Sequence, residues 1–124
     1  MSAVRLLALS ARTGQSLGRV DVADSLPARV RGLLGRRELA EGDGILIEPC
    51  SGVHTWFMRF PIDVAFLSHD GEVLRSIESM PPFRAAPHVR GAKSALELPA
   101  GTLARVGVET GDRLLFEAEE ERVA

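Results

Sequence analysis

The stretch Pro61-Ile62-Asp63-Val64-Ala65-Phe66-Leu67-Ser68-His69-Asp70-Gly71-Glu72-Val73-Leu74-Arg75-Ser76-Ile77 decides the fold class. Ile62, Val64 and Phe66 alternate with Asp63, Ala65 and Leu67, the two-residue period of a strand, and Pro61 marks a break or a strand edge. Asp70-Gly71 supplies the positive φ angles of a tight turn, so His69-Asp70-Gly71 predicts a hairpin onto Val73, Arg75 and Ile77. A β-rich chain follows from this hairpin outward.

Downstream, residues 79–91 hold Pro81, Pro82 and Pro87 with Arg84, His88 and Arg90 and no periodicity, which predicts a long surface loop. Ala92 to Leu98 resumes as a strand with Ser94, Leu96 and Leu98 on one face and Lys93, Ala95 and Glu97 on the other. Pro99-Ala100-Gly101 introduces a helical turn carrying Leu103 and Val106 and ended by Gly107, and Gly111-Asp112 turns into a last strand over 113–116. The acidic tail from Glu117 onward is expected to fray.

Upstream, Val53 to Met58 reads as a strand and Ile45-Leu46-Ile47 as a buried one. Leu26, Val30, Leu33 and Leu34 recur at helical spacing with Ser25 as cap, Pro27 in the first turn and Gly35 after the last apolar position. Val4 to Leu9 and Leu17 to Val22 predict two opening strands around Gly14. The whole is expected to be a single domain over 1–124, mainly β: a small curled antiparallel sheet, barrel- or sandwich-like, with one short helix and one helical turn.

Composition narrows the functions. A chain of 124 residues buries roughly two thirds of its unfolded surface, enough for its own core. Its 15 basic and 17 acidic residues leave a formal charge of -2, too weak a field to gather phosphate backbones, so nucleic acid is not expected as a partner. Cys50 is the only cysteine, no run approaches the ~20 apolar residues of a membrane span, and Leu6 to Leu9 is too short for a signal-peptide core; cytoplasmic residence and no membrane contact are the expectations. The phosphate-cradling, dinucleotide, Cys-x-x-Cys, His-Glu-x-x-His and Gly-x-Ser-x-Gly signatures are all missing.

The candidate site lies in Pro49 to Asp63, which contains the only Cys, the only Trp and His54. In an extended chain His54, Trp56 and Met58 share a face, either a pocket floor or a core with one satisfied histidine. Cys50, His54, Thr55, Trp56, Met58, Asp63 and Glu97 are therefore the candidate binding residues, with no catalytic residue assigned. No metal or other cofactor is expected, because His69 and His88 lie in a hairpin tip and a loop away from His54. Asp63 follows Phe60-Pro61-Ile62 and precedes an apolar run, so it is expected to be at least partly buried, finding donors in the Met58 to Pro61 bend or the His54 ring.

Taken in order, Gly32-Leu33-Leu34-Gly35-Arg36, Gly44-Ile45-Leu46, His54-Thr55-Trp56-Phe57-Met58, Pro61-Ile62-Asp63, Ala95-Leu96-Glu97-Leu98-Pro99-Ala100-Gly101 and Gly111-Asp112 are similar to the motifs of a prokaryotic family, domain of unknown function 192. The resemblance spans about residues 20–116 and implies a single β-rich domain without supplying an activity. The leading expectation is a non-enzymatic binding or accessory module, for a small molecule or a protein, with a pocket near His54, Met58 and Asp63 roofed by the Pro-rich loop. Its rivals are a small hydrolase or isomerase using His54 with Asp63 or Glu97 as acid and base, and an interaction domain docking through the basic helix 25–37.

Overall fold

Strand β5, Ile62–Leu67, is buried at every position, so both faces of the sheet around it are covered. In this computed structural model, which describes residues 5–25 and 38–118, β5 pairs with β6, Val73–Met80, through the expected Asp70-Gly71 turn. The other strands of the sheet are β1 (Arg5–Ser10), β2 (Ser16–Ala23), β3 (Asp43–Ile47), β8 (Ser94–Pro99) and β9 (Leu114–Ala118), in the order β6-β5-β8-β3-β2-β1-β9. A small second sheet pairs β4, Val53–His54, with β7, Ala85–Ala86.

The sheet curls until its two outermost strands touch at one end, as a half-barrel. Leu114 donates its N–H to Gly71 O at 2.9 Å, Val73 to Asp112 O at 2.8 Å, and Glu72 bridges Arg113. Gly71 makes this seam possible: at φ +87° a Cβ there would stand 2.4 Å from Leu114 O.

Inside the curl, Leu17, Val20, Leu46, Ala65, Leu96 and Leu98 pack with Leu103 and Val106 of the single described helix, α1 (Thr102–Val106). On the outside, Ile45, Ile47, Ile62, Val64 and Phe66 are covered by Met58, Ala86, Val53, Phe60 and Val89, all from the segments around β4 and β7. Strand pleat sends alternate residues of β5 to these two cores.

Four expectations change. The sheet is not wholly antiparallel: β2 and β3 run parallel, which their connection of more than a dozen residues permits. Val53 to Met58 is not one strand, because β4 ends at His54 and the chain turns at Trp56-Phe57. The loop over 79–91 carries more order than expected: Met80 closes β6, and Ala85–Ala86 forms β7. Glu117 and Ala118 belong to β9 rather than to a frayed tail. The expected helix over 25–37 lies, beyond Ser25, outside the described residues.

Candidate functional site: an aromatic and basic loop layer

Asp63 and His54, which the sequence places together, sit on opposite sides of the sheet. Asp63 is 0% exposed on the inner face, paired with Leu98 across the ladder. A register shift between Ile62 and Val64 frees Ser79 N–H, which donates to Asp63 Oδ1 at 2.8 Å, and Oδ2 accepts Gly101 N–H at 3.2 Å and Leu103 N–H at 2.9 Å. The carboxylate thus caps α1, whose own N-cap residue Gly101 has no side chain to do so. Burial agrees with expectation; the donors come from β6 and α1 instead of the Met58 to Pro61 bend or His54.

His54 is exposed and accepts Trp56 N–H on Nδ1 at 3.3 Å, so it makes no hydrogen bond to Asp63. The shared face of His54, Trp56 and Met58 is also broken. Phe57 adopts φ 65°, the left-handed region, and this turn sends Met58 into the outer core while His54 and Trp56 stay at the surface. The pocket expected between His54, Met58 and Asp63 is therefore divided by β5 itself. Cys50 is partly buried and donates its thiol to Gly52 O at 3.0 Å.

Thr55 ties the two loops of the outer layer together. Fully buried, it donates Oγ1–H to Pro81 O at 2.6 Å and accepts Arg84 N–H on Oγ1 at 2.9 Å; its N–H reaches Arg84 O at 2.8 Å and its carbonyl accepts Phe83 N–H at 2.9 Å. This clamp holds three aromatic side chains at the surface: Trp56 at 43%, Phe57 at 78% and Phe83 at 50% exposure. Phe83 is in contact with both, at ring-centroid distances of 6.0 Å and interplanar angles of 59° to Trp56 and 72° to Phe57. Like Phe57, Phe83 has a positive φ, 61°, so both tips carry backbone strain of order 1–3 kcal/mol.

The same layer is segregated in charge. Residues 49–61 and 81–93 contain Arg59, Arg84, Arg90 and Lys93 and no Asp or Glu, leaving eleven basic against seventeen acidic residues for the rest of the chain. All four cationic side chains belong to exposed residues. The whole-chain charge of -2 averages this basic layer against an acidic remainder. Phe57, Phe83 and Arg84 were missed by sequence reasoning. An acid-free pair of segments with aromatic residues beside arginines was the available signal.

Glu97 lies on the outer face between Ile45 and Val64, 4% exposed. Among the described residues nothing hydrogen-bonds or ion-pairs with its carboxyl, and desolvation raises its pKa from 4.5 to about 7. No group of three or more metal-ligating side chains comes together among the described residues. No helix among them is long and apolar enough to cross a membrane.

Comparison with known proteins places this geometry in a family. Residues 8–116 match DUF192, described as "Uncharacterized ACR". The chain belongs to the DUF192 family. It is 34% identical over 112 residues to a UPF0127 protein of Thermococcus sibiricus, an alignment covering 86% of this chain and 71% of that protein. A UPF0127 protein of Pyrococcus furiosus is 41% identical over 64 residues, 52% of this chain and 54% of its own length. Two crystal structures share the DUF192 fold seen here. One, a "putative transcription regulator" from Sinorhizobium meliloti, matches at a TM-score of 0.73 and 28% identity over 93% of this chain and 94% of that one. The other, a protein of unknown function from Novosphingobium aromaticivorans, matches at 0.74 and 21% identity over 91% and 84%. No specific activity attaches to the family.

Proposed function

We propose that this DUF192 protein is a binding module that takes an anionic partner on the loop layer formed around β4 and β7. The observation that carries this reading is the Thr55 clamp, which holds Trp56, Phe57 and Phe83 at the surface against the cost of two positive φ angles. Exposed clustered aromatic residues mark interaction sites, and backbone strain concentrates where geometry serves binding. The neighbouring Arg59 and Arg84, with no carboxylate in either segment, select for negative charge. The description of the Sinorhizobium relative as a "putative transcription regulator" fits a protein that acts by binding. Cytoplasmic residence belongs to the same proposal, supported by a chain whose single cysteine allows no internal disulfide.

Trp56 is the only tryptophan, so its fluorescence reports on this layer alone. Titration with a panel of polyanions (oligonucleotides, anionic vesicles, acidic peptides) is expected to shift that signal at low salt. The double change Phe57→Ser with Phe83→Ser should abolish the response while the unfolding midpoint holds. Silence across the whole panel would remove the reading.

A second reading, an acid–base enzyme, rests on Glu97, a buried carboxyl without a partner among the described residues and with its pKa pushed up to about 7 by desolvation. Asp63 is an unsuitable partner in it, since its oxygens are committed to three backbone donors. Turnover lost in Glu97→Gln with folding intact would favour this alternative.

A further inference from the structure

We infer that the partner of this layer is a single-stranded nucleic acid, its bases stacked on the exposed rings and its phosphates held by the flanking cations. The inference rests on the binding-module reading and narrows it to one ligand chemistry. Proteins that hold single strands combine aromatic platforms with a basic track, and every base offers a face to stack on. Here Trp56, Phe57 and Phe83 supply the platforms, and Arg59 and Arg84 follow directly after Met58 and Phe83 in the same loops. Arg90 and Lys93 add two exposed cations further along the second segment, on the stretch that pairs with residues 50–51.

The alternatives fit the geometry less well. A duplex hides its base faces, which would leave three exposed rings without a role. An acidic peptide would pair with the arginines but gives no carboxylate a use for the rings. An anionic membrane would accept both rings and arginines. Insertion into lipid is non-directional, however, and gains nothing from a fixed backbone at the ring-bearing tips. In this layer the ring-bearing tips are held by hydrogen bonds to a buried threonine and at strained φ angles. Pre-organisation of that kind serves a partner whose own planes must be matched.

The test follows Trp56 fluorescence during titration with a mixed-sequence DNA strand of about 20 nucleotides at roughly 50 mM salt. Its duplex, phosphatidylglycerol vesicles and poly-glutamate serve as comparators. The single strand is expected to bind at least about tenfold more tightly than its duplex, and Phe57→Ala and Phe83→Ala are each expected to weaken it by about tenfold or more. Arg59→Gln and Arg84→Gln should each flatten the slope of log affinity against log salt by about 0.7, the share of one phosphate on a single strand. An unfolding midpoint measured for each variant separates loss of binding from loss of fold. Equal binding of duplex or poly-glutamate, or phenylalanine variants that bind as the wild type does, would overturn the inference. Vesicles that shift Trp56 when the oligonucleotide does not would also overturn it while leaving the binding module standing. A layer that responds to no polyanion sinks both.

Discussion

The two faces of the central sheet treat buried carboxylates in opposite ways. On the inner face Asp63 is enclosed and saturated, with one oxygen on β6 and the other on the first turn of α1. On the outer face Glu97 is nearly as buried, has no partner among the described residues, and is pushed toward the neutral acid. A buried charge with three donors stabilises the fold that supplies them, whereas one without donors is held at a cost. Positive φ angles at non-glycine residues occur on both sides, at Ser79 beside Asp63 and at Phe57 and Phe83 in the outer loops. The inner side closes a half-barrel around aliphatic side chains, while the outer side carries loops with two strained aromatic tips. Both faces of the sheet carry a packed core, and whatever the protein recognises is expected on the outer loops.

The largest effect expected from breaking this division comes from Asp63→Ala. Three backbone donors lose their acceptor in a site closed to water, and each orphaned group costs about 1–3 kcal/mol. A total loss of about 3–5 kcal/mol is expected in chemical denaturation, with an unchanged slope. An unaltered midpoint would show that the inner carboxylate is not a brace. Next comes Gly71→Ala, where a Cβ would meet Leu114 O at 2.4 Å and must also adopt φ +87°. The seam between β6 and β9 has to open, at about 2–3 kcal/mol, and amide exchange at Leu114 and Val73 should accelerate ahead of the rest of the sheet. Uniform exchange in that variant would mean that the half-barrel does not depend on its seam.

Glu97 gives the comparison a pH axis. Its folded pKa stands above the ordinary glutamate value, so the folded state binds its proton more tightly than the unfolded state does. The associated stability is complete below the unfolded pKa of 4.5 and is lost as pH rises through about 7. Wild-type stability should therefore fall by on the order of 2 kcal/mol between pH 5 and 8.5 through this group, and Glu97→Gln should remove that fall and be the more stable form at the alkaline end. A wild type and variant with parallel pH profiles would show that Glu97 is not the titrating group.

Much of the inner face was legible in the sequence. The alternation in Ile62 to Leu67, the Asp70-Gly71 turn and the Pro99-Ala100-Gly101 entry to a helical turn each act over a few residues, where local chemistry dominates. The outer layer was legible in composition but not in geometry. Period-two reasoning placed His54, Trp56 and Met58 on one face, and it failed because Phe57 takes a left-handed φ that the residue type does not announce. Met58 N–H closes that turn on Thr55 O at 3.2 Å, and Thr55 is itself tied to residues 81–84, which are distant in sequence. For the same reason Asp63 could be recognised as buried, while its donors near residues 79 and 101–103 could not be named. Net charge is silent on the basic layer for a related reason, since it sums over segments that differ in charge.

The smallest expected effect on stability is the one that tests the outer face most directly, Phe57→Gly. Phe57 is 78% exposed, so its removal forfeits little burial beyond the edge contact with Phe83. At φ 65° the wild-type residue pays the left-handed penalty of about 1–2 kcal/mol that glycine avoids. The extra freedom of glycine in the unfolded chain and the lost ring contact offset part of that gain. The net change should lie between zero and about 1 kcal/mol in favour of the variant. If the outer layer is a recognition surface, the same substitution should weaken capture of a polyanion by about tenfold, as loss of one stacking ring does. Stability held or raised while binding falls is the signature of a site kept strained for function. A Phe57→Gly protein that is clearly destabilised would instead make the aromatic tip part of the fold, and the distinction between the two faces of the sheet would lose its functional meaning.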